Sequence, residues 1–176
     1  MSRREDLLDL AADLLETEGV EAFGIGVLAR AAGVRPPSLY KHFSGREDIE
    51  NALIARGFAT FATALSTVPQ SGEGDGRSAT LAAYARAYRE QALARPQLYR
   101  LMTGRPLDRA ALPPGAEDAA MAPLLRLFGE DLEHRDRARA AWAWAHGLVS
   151  LEIAGRFPPG ADIEAAWQVM VETLMR

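Results

Sequence analysis

Between Ala22 and Arg46 the chain carries no acidic residue, while Arg30, Arg35, Lys41 and Arg46 all fall there; Lys41 is the only lysine in 176 residues. Such a stretch can bind phosphate oxygens through its cations, and a guanidinium can also bond guanine in pairs at the major-groove edge. Acids crowd the segment before it instead (Glu5, Asp6, Asp9, Asp13, Glu16, Glu18) and resume at Glu47. The net charge of −4 excludes a protein that coats nucleic acid indiscriminately. Any nucleic-acid contact is therefore a local patch, and for Arg30 an ordinary solvated face is an equally good account.

The elements that must position these side chains are legible around them. Residues 25–43 read IGVLARAAGVRPPSLYKHF, a pattern that predicts a helix, a tight turn and a second helix. Ala29 is small where two helices would cross, and Gly33 stands at the turn, where a positive φ is needed. Leu39, with Ile25 and Leu28, is expected to plug the second helix into a small core. Pro36 and Pro37 fit only the first turn of that helix, where their missing N–H groups have no intrahelical acceptor to lose. Ser44-Gly45-Arg46-Glu47 has the S-x-x-E spacing of a capping box, so a further helix is expected at once. Its free N–H groups and positive dipole end, with Arg46 in the first turn, form an anion site.

These motifs, LARAAGV, then SLYKHF, then Arg-Glu-Asp-Ile, resemble the TetR family of transcriptional regulators over about the first 50 residues. The resemblance implies a helix-turn-helix in which Arg35, Pro37, Ser38 and Lys41 face the major groove while Tyr40, His42 and Arg46 grip phosphates. Three positions depart from the family. Gly24 stands where a capping Thr or Ser is usual, Gly26 where a longer polar side chain is common, and Arg35 at the usual Ser cap of the recognition helix. The two glycines weaken backbone anchoring. Arg35 becomes a base-contact candidate, although solvent exposure alone accounts for an arginine there equally well.

The remaining chain predicts helices and loops without strand alternation, so the expected fold class is all-α. An N-terminal three-helix helix-turn-helix domain (1–48) is expected to precede an antiparallel helical effector-binding and dimerisation domain (49–176). Ser2 and Glu5 are spaced to cap a first helix with Leu7, Leu8, Ala11, Leu14 and Leu15 on one face, ended by Gly19. A long amphipathic helix follows Ser44, and 69–76 (PQSGEGDG) reads as a loop. Helices are expected over 79–94, 96–103, 117–128, 135–156 and 162–175, with a Gly/Pro-rich stretch at 104–115.

Residues 135–156 form the second informative element. Trp142, His146 and Val149 fall on one stripe and Trp144, Leu148, Leu151 and Gly155 on another, so the helix is apolar on two sides and should be buried on both. Trp144-Ala145-His146-Gly147 and the PQLYRLM run at 96–102 resemble a TetR subgroup with a C-terminal Trp-His-Gly element. That resemblance implies an effector-binding half whose last two long helices meet a partner's in a four-helix interface, with Ala140, Ala143, Gly147 and Ala154 permitting close approach. The other face would line a cavity. Tyr88, Tyr99, Met102, Phe128, Trp142 and His146 are the candidates to enclose a mostly apolar small molecule, His146 being the polar group that orients it. Ordinary core packing is the competing account of each.

Enzyme readings find little support in the sequence. The absence of cysteine excludes disulfides and thiolate metal sites and suits a cytoplasmic location. His42, His134 and His146 lack ligand spacing, so no metal is expected, and no nucleophile elbow, P-loop or dinucleotide glycine pattern calls for a cofactor. The longest apolar run, 140–151, is too short to span a membrane. The sequence thus predicts a homodimeric regulator, a repressor that binds a palindromic double-stranded DNA operator and is released by a small effector. A helical binding protein or enzyme without DNA affinity, and a constitutive DNA-binding dimer with no effector, are the alternatives.

Overall fold

The computed structural model describes residues 2–70, 75–129 and 131–176; residues 71–74 of the expected loop at 69–76 lie outside the described residues. The described residues form α-helices joined by short connections, with one 3₁₀ turn and no strand. Two compact units result, Met1–Phe58 with Arg95–Ala116, and Ala59–Ala94 with Glu117–Arg176. The division expected at 48/49 falls inside a continuous helix, and the first unit recruits a segment from the middle of the chain.

In the first unit, α1 (Arg3–Ala22) starts on Ser2, whose hydroxyl accepts the N–H of Glu5 at 3.3 Å. Gly19 leaves the helical conformation as expected, at φ 79°, but one further turn runs on to Ala22, and the Phe23 N–H returns to the Gly19 carbonyl. This kink delivers Phe23 into the core. Helix α2 (Ile25–Ala31) ends on Gly33 at φ 65°. The N–H groups of Gly33 and Val34 bond the carbonyls of Arg30 and Ala29, the paired closure that a left-handed residue makes possible. After α3 (Pro36–Leu39), whose first turn holds both prolines, residues 40–42 form a turn closed by the His42 and Phe43 N–H groups on the Leu39 carbonyl. Regular helix therefore stops at Leu39, short of Phe43.

Helix α4 (Arg46–Ser66) begins one residue later than the S-x-x-E reading supposes. Asp48, not Glu47, therefore reaches back to the Ser44 N–H, at 2.9 Å. Leu7, Leu8, Ala11, Leu15, Phe23, Leu28, Ala29, Leu39, Phe43, Ile49 and Leu53 share one core. Helix α6 (Pro96–Thr103) belongs to this core through Leu98 and Leu101, followed by the 3₁₀ turn Arg109–Ala111.

In the second unit, α5 (Asp75–Ala94), α8 (Leu132–Ile153) and α9 (Ile163–Leu174) pack on one another, and α7 (Ala116–Phe128) adds Leu124, Leu127 and Phe128 to the buried set. Arg89 of α5 ties the three together: it bonds both carboxylate oxygens of Glu152 at 2.8 and 2.9 Å and Glu164 at 2.8 Å. These acids, Glu152 foremost, raise the Arg89 pKa. Helix α8 starts three residues before the expected Arg135, because Asp131 caps it by accepting the His134 N–H at 3.0 Å. It ends at Gly155, φ 62°, with the same paired closure that ends α2.

Candidate nucleic-acid interface

The helix-turn-helix presents its polar face because its apolar face is fully used. Leu28 and Leu39 are completely buried and Ala29 nearly so, which seats α3 against α2. The side chains that remain, Arg35, Pro37, Ser38, Tyr40 and Lys41, are exposed, Tyr40 by 57%. His42 is half-buried. Five of the seven candidates therefore lie open on one short segment free of carboxylates. The side chain of Arg35, at the start of α3, makes no capping bond, so its guanidinium is not committed to the helix it precedes. Gly24, at the start of α2, likewise supplies no side-chain cap.

Arg46 is placed differently. Its Nε donates to Glu50 at 2.6 Å and one Nη to the Val20 carbonyl at 2.7 Å. Glu50 is 6% exposed and also receives Arg105, which bonds Asn51 as well. A buried carboxylate is tolerated only when paired and hydrogen-bonded; two guanidiniums meet that condition. Arg46 thus braces the end of α1 against the start of α4. Arg4 carries no signal in the sequence, being one of two arginines that open an otherwise acidic helix. It lies over the Phe43 ring at 4.6 Å, donates to the His42 carbonyl at 3.2 Å and pairs with Asp48 at 3.3 Å. It thereby holds the end of the recognition segment.

The six cavity candidates divide between the units. Tyr99 is buried in the first, where Met102 packs closely over Gly57. Tyr88, Phe128, Trp142 and His146 belong to the second. There Phe128 is buried, Tyr88 meets the Phe61 ring at 5.1 Å, and Trp142, 44% exposed, stacks on His146 at 5.8 Å. His146 lies 3.4 Å from the Ser150 hydroxyl, and burial pushes its pKa below the ordinary value. Among the described residues no His, Asp and Glu group could hold a metal, and no helix is long and apolar enough to cross a membrane.

Residues 7–53 match the model of bacterial regulatory proteins of the TetR family, and residues 81–174 match the tetracycline repressor-like C-terminal domain. The HTH-type transcriptional regulator Rv0681 of Mycobacterium tuberculosis is 32% identical over 158 residues, 86% of this chain and 71% of that one. The chain belongs to the TetR family of bacterial regulatory proteins. Over 56 residues it is also 41% identical to the transcriptional repressor KstR2 of Rhodococcus jostii, covering 32% of this chain and 27% of that protein. A Rhodococcus sp. RHA1 protein of unknown function has the same fold at TM-score 0.81 and 31% identity, covering 100% of this chain and 95% of that one. A TetR variant from Acinetobacter baumannii, solved with minocycline, superposes at TM-score 0.71 with 20% identity over 99% of this chain and 94% of that one, a likeness of fold. As a TetR-family member the protein is a transcriptional regulator with a DNA-binding domain, and not an enzyme.

Proposed function

We propose that the protein is a homodimeric repressor that binds a palindromic operator and is released by a small, mostly apolar effector. The observation that carries the DNA reading is the open, acid-free segment 35–41 standing on the buried Leu28 and Leu39. Arg35, Pro37, Ser38 and Lys41 face the bases, Tyr40 and His42 hold phosphates, and Arg46 acts through Glu50 and Val20 rather than by gripping DNA. Few cations serve each subunit, so two subunits must bind together for useful affinity.

The dimer is supported by an unused face. On α8, Ala140, Trp144 and Leu151, with Ala154 just past its end, are exposed at spacings that form one stripe with Gly147, and Val169 of α9 is 53% exposed. A Cβ at Gly147 would meet nothing within this chain, so its smallness serves no packing here. A contiguous apolar face of this kind marks an interaction site, and two such helix pairs would form a four-helix interface. For the effector we retain the second-unit group Tyr88, Phe128, Trp142 and His146, in a C-terminal half of the Trp-His-Gly type; Tyr99 and Met102 are read as first-unit packing.

Selection of bound sequences from random duplexes tests this reading. An inverted repeat with half-sites about one helical turn or a multiple apart is expected. Recovery of no enriched sequence, or of an asymmetric one, would refute it.

A further inference from the structure

Regular helix stops at Leu39, and Tyr40, which holds a phosphate in the reading above, lies beyond it. Its direction is therefore not set by the repeat of a long helix. The His42 and Phe43 N–H groups both return to the Leu39 carbonyl, at 2.8 and 2.9 Å, which closes one turn and leaves the peptides that follow to be held from elsewhere. Phe43 is anchored in the core, 1% exposed. A buried ring fixes one point, not the peptide planes on either side of it.

Those two planes are held by the two members of one ion pair. Before Phe43, the Nε of Arg4 donates to the His42 carbonyl at 3.2 Å; after it, the Ser44 N–H donates to Oδ2 of Asp48 at 2.9 Å. An Nη of Arg4 donates to the other oxygen of Asp48 at 3.3 Å, and the guanidinium lies over the Phe43 ring at 4.6 Å. The contacts close a loop around Phe43 that joins α1, the recognition turn and α4, all within the first unit. With side chains 43% and 34% exposed, the pair contributes little to stability as a pair of charges. Its use is direction, because a planar guanidinium offers two N–H groups and a face in fixed relation, as an ammonium does not.

We infer that Arg4 is a positioning residue for operator binding, clamping with Asp48 the peptides on either side of Phe43 so that the turn presents Tyr40 to a phosphate; this rests on the DNA reading above. Arg4 acts through the turn and does not itself grip DNA. The distinction is measurable. A cation on a phosphate releases about one counterion, whereas a phenol hydroxyl releases none, so loss of the clamp lowers affinity without changing its salt dependence. If each of two subunits then presents Tyr40 about a third of the time, the dimer binds about tenfold more weakly.

The experiment titrates the full chain on the selected palindrome at several salt concentrations. Arg4→Ala is expected to speed exchange of the Ser44 amide, to weaken binding by about tenfold with the salt slope unchanged, and to cost nothing further once Tyr40→Phe is present. Arg4→Lys keeps the charge without the fork and should still weaken binding several-fold; it carries the same readouts if Arg4→Ala does not fold. A salt slope shallower by about one per subunit would show that Arg4 grips phosphate, and would overturn the inference. So would equal losses with and without Tyr40→Phe, an Arg4→Lys protein that binds as the unmodified one does, or a lowered melting midpoint with affinity intact. Failure of the DNA reading is separate: the unmodified protein would then bind no duplex, or Tyr40→Phe would leave its affinity unchanged.

Discussion

At the scale of single residues, exposure separates side chains that can meet DNA from those that hold the unit together. Arg35 and Ser38 stand open over the recognition turn, and Tyr40 beside them is exposed as well. Arg35→Ala is expected to cost about 1–3 kcal/mol at one base position and to relax preference there. Tyr40→Phe should weaken all sequences alike, since a phosphate contact carries no sequence information. Competition binding against a panel of single-base variants distinguishes the two, and identical profiles for both variants would refute the assignment. His146 makes a different prediction. Burial holds its pKa below the ordinary 6.5, so the unfolded chain takes up the proton first as pH falls. The stability due to neutral His146 is complete above about 6.5 and is lost as pH drops through the lower folded value. The melting midpoint should thus decline as pH falls below about 6.5, and His146→Gln should flatten that decline.

At the scale of elements, what was legible in the sequence was what local chemistry decides. Ala29, Gly33 and Leu39 announced the helix-turn-helix because each requirement, a close crossing, a positive φ and a plug, is met within a few residues of where it arises. Gly33 at φ 65° has open space where a Cβ would go, so the cost of Gly33→Ala is backbone alone. About 1–2 kcal/mol is expected, read as a lower denaturant midpoint with an unchanged slope. Boundaries were less legible, since neighbouring residues compete to cap. Asp48 acts where Glu47 was expected, and Asp131 starts α8 ahead of Arg135. The partners of Arg46 and of the α6 N-terminus were not legible at all. Arg105 meets Glu50 and Glu16 meets Leu98 across 55 and 82 residues, and no periodicity in a single sequence encodes such pairings. The effector-site candidates were not legible either, because an aromatic at helical spacing reads the same in a core, an interface or a pocket.

At the scale of the whole molecule, regulation is proposed to be linkage: an effector favours one packing of the C-terminal helices, and the two recognition segments then leave the spacing the operator demands. Such coupling is reciprocal, so operator must weaken effector binding by the same factor. It also requires the dimer. Leu151→Glu, toward the C-terminal end of the exposed α8 stripe, should give a monomer in sedimentation velocity while leaving the helical signal intact; a dimer that survives it would place the interface elsewhere. The most direct measurement of the central claim is a titration of the selected palindrome at several salt concentrations, with binding stoichiometry read at each. Two protomers per duplex and an affinity that falls steeply as salt rises are expected, because a local cationic patch on an acidic protein binds by releasing counterions. One protomer per full site, or an affinity indifferent to salt, would contradict it.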